Sequence, residues 1–292
     1  MSSLILASDT DKARRRAWRI EAWCRRYPLV SIAAAAIIVL AAIAILAPWL
    51  GTTDPRQVEP THRLTPPSAA AWFGTDLLGR DIYSRVLFGA RVSLVVGFIV
   101  ALLAGAIGLV LGFVTCFVRG ADDIIMRFMD GLMSIPSVLF AIALMAIAGP
   151  SLGNVVLAIT ITEIPRMTRL VRSLGLSLRA EAFVEAARAC GTRLPMLLWR
   201  HVLPHTLGPV VVQMSFVCAT AMMLEALLSF LGAGVPPETP SWGNIIADGR
   251  SVFQLRPFII FFPSIFLSAT VLSVNLLGSG LARILDPRAS RR

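Results

Sequence analysis

Apolar positions fall into six runs, at roughly residues 29–50, 92–118, 124–149, 152–171, 207–231 and 257–281. Each is near the ~20 residues that cross a bilayer as a helix. The pattern predicts an all-α, polytopic membrane protein with six transmembrane helices. The fourth run is the most interrupted, because "TEIPRMTRLVR" places Glu163, Pro165, Arg166 and Arg169 in its second half. The first run is too long for the apolar core of a signal peptide, and 28 residues precede it, so it reads as an uncleaved helix. In the second run, Gly97, Gly105, Gly108 and Gly112 let another backbone come close. Gly108 and Gly112 form a GxxxG pair, the mark of a tightly packed bundle or a dimer interface.

The runs divide the chain into a tail at 1–28, a first helix at 29–50, a connecting segment at 51–91, a five-helix core at 92–281 and a tail at 282–292. Within the core lie two polar stretches, 172–206 and 232–256. Six crossings put both termini on one side, and arginine decides which. The N-terminal tail holds seven basic residues, Lys12 among them as the only lysine. The 172–206 loop carries Arg172, Arg179, Arg188, Arg193 and Arg200, while 232–256 has only Arg250 and Arg256. The positive-inside bias therefore puts both tails and the 172–206 loop in the cytoplasm. Segment 51–91 is the anomaly, external by this count yet holding five arginines.

Composition agrees. Hydrophobic residues make up 56% of the 292 positions and charged residues 15%, against about 25% charged in a soluble domain. A net charge of +10 fits nucleic-acid binding in principle, but these arginines flank apolar runs, where they orient a membrane protein. Cys24, Cys116, Cys190 and Cys218 show neither zinc spacing nor a disulfide framework and read as packing residues.

The stretch "EAFVEAARACGTRLPMLLWRHVLP" (181–204) stands out as charged and alanine-rich between apolar runs. Helix formers fill 180–190 and Gly191 suits a left-handed helix end. Thr192 is placed to cap a second helix from Arg193, with Pro204 expected to end it. Two short helices at the cytoplasmic surface follow, either lying on lipid head groups or docking in a groove on another protein. The small alanine faces favour the groove.

This stretch resembles the EAA loop of ABC-importer permeases: Glu-Ala-Ala, three residues, Gly, nine residues, then a block ending Leu-Pro. Glu185, Ala186, Ala187, Gly191, Leu203 and Pro204 fit that register. Segments 72–97, 228–250 and 275–288 are similar to the C-type subunit of dipeptide, oligopeptide and nickel importers. One departure is His205, where that subfamily usually has asparagine. The resemblance implies a type I importer permease fold in a bacterial inner membrane. It further implies half of a heterodimeric pore, a homologous second permease, one or two ATP-binding subunits and an extracytoplasmic substrate-binding protein. The six matching residues would couple the pore to the ATPase, and di- or oligopeptides would be the cargo, with nickel or another small solute as the alternative.

The chain's own residues supply no ATP site. A phosphate-binding loop needs a lysine after its glycine-rich turn, and Lys12 follows no glycine. ATP and magnesium would therefore belong to the partner subunits, and no cofactor is expected in this chain. Glu225 is the leading pathway candidate, the alternative being a structural carboxylate paired with a neighbouring helix. Trp242, in an external segment stiffened by Pro236, Pro237 and Pro240, is the other pathway candidate. Glu163 and Asp130 are expected to pair locally with Arg166 and Arg127. His201 and His205 have helical metal spacing, but a proline lies between them and no third ligand is evident. No arrangement suggests catalysis. An ion-driven secondary transporter, the competing class, needs paired intramembrane carboxylates or inverted repeats, which the sequence does not offer.

Overall fold

A computed structural model describes residues 27–118 and 120–285. Ten α-helices make up most of it: α1 (Pro28–Leu46), α2 (Ile82–Phe117), α3 (Ala121–Ser134), α4 (Ser137–Ala148), α5 (Leu152–Arg179), α6 (Ala182–Ala189), α7 (Leu194–Leu197), α8 (Leu203–Phe230), α9 (Trp242–Gly249) and α10 (Phe258–Leu285). The described residues contain no strand, only an isolated bridge between Thr75 and Asp81.

The axis of the bundle is α2. Its 36 residues run about 54 Å at 1.5 Å per residue, well beyond the ~30 Å of a hydrocarbon core. The helix starts ten residues before the expected run, at Ile82. Asp81 caps it there, its carboxylate accepting from the Ser84 amide at 2.8 Å. It packs along α5 on one side and α8 on another, with α1 outermost against α2 and α10. Lipid tails are as apolar as leucine, so close backbone approach has to bring these helices together. The GxxxG pair does this within the chain: a methyl on Gly108 would overlap the Met167 side chain on α5, and one on Gly112 would stand 2.5 Å from Cβ of Val171.

Four described helical stretches are long and apolar enough to cross a membrane: Pro28–Trp49, Ile82–Phe117, Leu194–Phe230 and Phe258–Arg283. The third expected span is a broken one, α3 and α4 meeting at 89°. Pro136 explains the break, since it cannot donate into a continuing helix and holds the preceding residue extended. The fourth expected span, α5, has 28 residues and the length to cross, but its charges set it apart from the four apolar stretches. The buried residues of α5 pack among α2, α4 and α8, while Leu157, Arg166 and Arg169 stay exposed.

The arginines of segment 51–91 are mostly committed to protein groups. Arg80 and Arg85 are buried in an ion network with Asp76 and Asp248. Arg91 donates to the carbonyls of Ala44 and Ile45 at the end of α1. Arg63 donates to the carbonyl of Leu77 at 2.6 Å. Four of the five arginines are thus engaged by protein groups, which gives them a structural role.

Replacing Gly112 by leucine is expected to cost about 1–3 kcal/mol through overpacking against Val171. Gly131→Leu, on the open side of α3 with nothing within 4 Å of the added carbon, is expected to stay within about 0.5 kcal/mol of the parent. Thermal unfolding of the detergent-solubilised chain measures both; equal losses would contradict the packing assignment.

Candidate functional site

At one end of the bundle α5 continues to Arg179, whose guanidinium donates to the carbonyl of Cys116 at 2.9 Å and so ties it to the end of α2. Helix α6 hangs beyond this junction. Val184 is fully buried and anchors it, while Glu185, Ala186, Arg188 and Ala189 are exposed and Ala187 is half-buried. Arg188 lies over the ring of Phe117, 5.4 Å from its centroid. Gly191 takes φ +77°, and the Thr192 amide donates back to the Ala187 carbonyl at 3.1 Å, closing a left-handed helix end.

Two local expectations are corrected here. The next helix starts at Leu194, not at Arg193, so Arg193 rather than Thr192 holds the N-cap position and no side chain caps the helix. Pro204 does not end that helix. A π turn at Leu198–Val202 intervenes, the Leu203 amide reaching back five residues to Leu198, and the helix runs on through Pro204 to Phe230. The wider turn comes just before the proline, which sits in the first turn of α8, where a missing donor is tolerated. His205 meets the His201 carbonyl at 2.9 Å, so its Nδ1 carries the proton, and its ring stacks on Phe183 of α6 at 5.0 Å. Leu203 and Pro204 are thus linked to α6 through one aromatic contact. Around α6 stand Leu194, Met196 and Trp199, the last 74% exposed.

At the opposite end, Glu225 and Trp242 are both fully buried. Glu225 on α8 accepts hydrogen bonds from Ser229 at 3.0 Å and from Ser93 of α2 at 3.3 Å, and Ser241, the cap of α9, also bonds it. Three hydroxyls from three elements converge on a single carboxyl. Trp242 donates from Nε1 to the Val86 carbonyl at 3.0 Å. The side-chain amide of Asn244 reaches the carbonyls of Val235, Pro236 and Thr239 within 3.1 Å, so it fixes the loop as much as the prolines do. The far end of α9 is held by Asp248, which bonds Arg80 and Arg85 at 2.8 Å each. Asp76, fully buried, takes both arginines and the amides of Leu78 and Arg80.

This four-residue network was missed by sequence reading; its one signal was the surplus of arginine in 51–91. Asp130 pairs with Arg169 of α5 rather than with Arg127, because the bend after α3 turns its acidic side toward α5. Asp122 and Arg172 form a second pair between these helices, two bonds of 2.6 Å. Glu163 meets Arg166 at 3.4 Å, one turn on.

Residues 104–291 match the family described as binding-protein-dependent transport system inner membrane component. The chain belongs to this family. A probable peptide ABC transporter permease protein, y4tQ, of Sinorhizobium fredii is 51% identical over 268 residues, 92% of each chain. The dipeptide transport system permease protein DppC of Alkalihalophilus pseudofirmus is 40% identical over 249 residues, covering 84% of this chain and 81% of that one. Among solved structures, the inward-facing MetNI methionine ABC transporter gives a TM-score of 0.59 at 17% identity, over 70% of this chain and 98% of that one, a likeness of fold. This transport component is accordingly an all-α, multi-pass membrane protein of the importer permease fold.

Removing the Asp76 carboxylate leaves Arg85 buried beside a single remaining acid. Asp76→Ala in this transport component is expected to cost about 3–5 kcal/mol, the cost of breaking a buried charge pair. It should also raise amide exchange across α9. Unchanged exchange at 242–249 would show that the network does not hold that helix.

Proposed function

We infer that the chain is one permease subunit of an ATP-driven importer of di- and oligopeptides, forming half of a pore with a homologous second permease. Relatives covering most of its length are named as peptide, dipeptide and glutathione permeases, and none of these names favours nickel. The observation that carries the coupling role is the form of α6. It is anchored by one buried valine, presents an alanine face and Glu185 to the outside, and is bordered by exposed Leu194, Met196 and Trp199. Alanines let a partner's backbone come close, and an exposed apolar rim of this kind marks a protein contact. A separate ATPase takes α6 in a cleft and holds the ATP and magnesium. Glu185, Ala186, Ala187 and Gly191 form the docked element, and Leu203 and Pro204 carry its movement into α8.

The α6 end faces the cytoplasm of a bacterial cell, as do both tails. The opposite end faces the substrate-binding protein. There a polar recess of about 360 Å³, with Glu59, His62, Trp72, Asp81 and Tyr83 among its lining, gives that protein a shaped surface. Glu225 and Trp242 act in this reading by holding α9 in place beside the pathway.

The test is co-purification in mild detergent followed by uptake in proteoliposomes. The parent chain is expected to bring down an ATPase subunit, and a Glu185→Arg variant, changed at an exposed position, to lose at least about nine-tenths of it while keeping its thermal midpoint. The reassembled complex should take up labelled dipeptide only with ATP and binding protein present. Uptake driven by an ion gradient without ATP would replace this reading with a secondary transporter.

A further inference from the structure

Half-way along α5 the chain exposes charge where lipid would not tolerate it. Arg166 lies about 21 Å along the axis from Leu152 and about 20 Å from Arg179, within the span of a ~30 Å hydrocarbon core. Its side chain is 50% exposed, and the acid it meets, Glu163, is 1% exposed. An ionised side chain at such depth belongs to a bundle interior or to water.

Three neighbouring features agree. The elbow between α3 and α4 exposes Ser134, Ile135 and Pro136. Helix α4 returns alongside α5 over about 18 Å, which sets the elbow at the depth of Glu163. Non-helical backbone at membrane depth is tolerated only inside protein or beside a water-filled cavity. The elbow is one turn past Asp130 and Arg166 one turn before Arg169, and Asp130 and Arg169 are bonded to each other, so elbow and arginine share a side. Finally, Glu163 Oε2 and Thr160 Oγ1, a turn apart on α5, are buried without a hydrogen-bond partner, and Pro165 removes the donor owed to the Ile161 carbonyl. The polar groups at this level outnumber the donors and acceptors that the chain supplies for them.

We propose that the face formed by the α3–α4 elbow and Arg166 is the wall of the aqueous pathway, and that Arg166, steadied by Glu163, receives the carboxylate terminus of the passing peptide. The carboxylate half of this inference rests on the peptide-importer reading; the placement of Arg166 against water does not. Arginine suits the role because its planar fork bonds a carboxylate through two parallel N–H groups. Its attachment is permissive, since a single 3.4 Å contact to Glu163 leaves other donors of the guanidinium free for a transient ligand. The substrate terminus would exchange places with water there, a contact weak enough to release.

The assembled transporter in proteoliposomes, with both permeases, the ATPase and the binding protein, tests both halves. In a background carrying Cys24→Ser and Cys190→Ser, Arg166→Cys is expected to react with a membrane-impermeant methanethiosulfonate, and Leu157→Cys, half a helical turn round on α5, is not. An unreactive Arg166→Cys, or equal reaction at both sites, overturns the wall assignment. With the same binding protein saturated in each case, ATP-dependent uptake of dialanine is compared with that of its C-terminal amide. The acid-to-amide ratio is expected to fall about tenfold in Arg166→Gln and by less in Arg166→Lys, which keeps the charge but not the fork. An unchanged ratio in Arg166→Gln overturns carboxylate recognition even where the thiol reacts. Absence of ATP-dependent uptake of either compound by the parent transporter refutes the peptide reading and carboxylate recognition with it, while the labelling result alone decides where Arg166 stands.

Discussion

The fold depends on how closely α5 and α8 approach α2. In a bilayer no hydrophobic force separates helix from lipid, so the bundle holds only where backbones come near enough for dispersion to favour helix over lipid. Gly108 and Gly112 admit Met167 and Val171 of α5, while Gly97 and Gly105 admit Met222 and Met214 of α8. With those contacts in place, α5 keeps Glu163 buried within the bundle, while Arg166 and Arg169 stay exposed on its remaining face. The two ends of α2 then fix everything attached to them.

Each end is held by a different chemistry. Toward Ile82, buried ions and hydroxyls fasten the connecting segment and α9: Asp76 with its two arginines, Asp248, and Glu225 among three serines. Such groups stabilise little relative to apolar packing but are costly to separate, so they fix geometry. Toward Phe117 the contacts are fewer, consisting of one arginine on a carbonyl, one arginine over a ring and two ion pairs between α3 and α5. Helix α6 is therefore attached by a buried valine and a histidine–phenylalanine stack rather than by a core. The end at Ile82 is thus held by buried charge and hydroxyl contacts, and the end at Phe117 by few contacts.

The apolar runs and their lengths determined by themselves that the chain is a helical membrane protein, because a run of ~20 apolar residues fits a spanning helix and is about twice the length of a barrel strand. The spacing of Glu185, Ala186, Ala187 and Gly191 marked α6 and its left-handed end, since both depend on local propensity. What the sequence did not show is pairing at a distance. The partner of Asp130 depends on the bend at Pro136. The burial of Glu225 depends on serines 132 positions earlier and four positions later, and the charge pairing of buried Arg80 and Arg85 is completed by Asp248, far along the chain. The GxxxG pair allowed a bundle or a dimer, and only the packed helices chose the bundle. Pro204 marked a helix end by local rule, yet a π turn placed before it let the helix continue. Local steric and hydrogen-bond rules are written within a few residues, whereas charge compensation and close helix approach exist only after the chain has folded back on itself. The tertiary structure alone decided those.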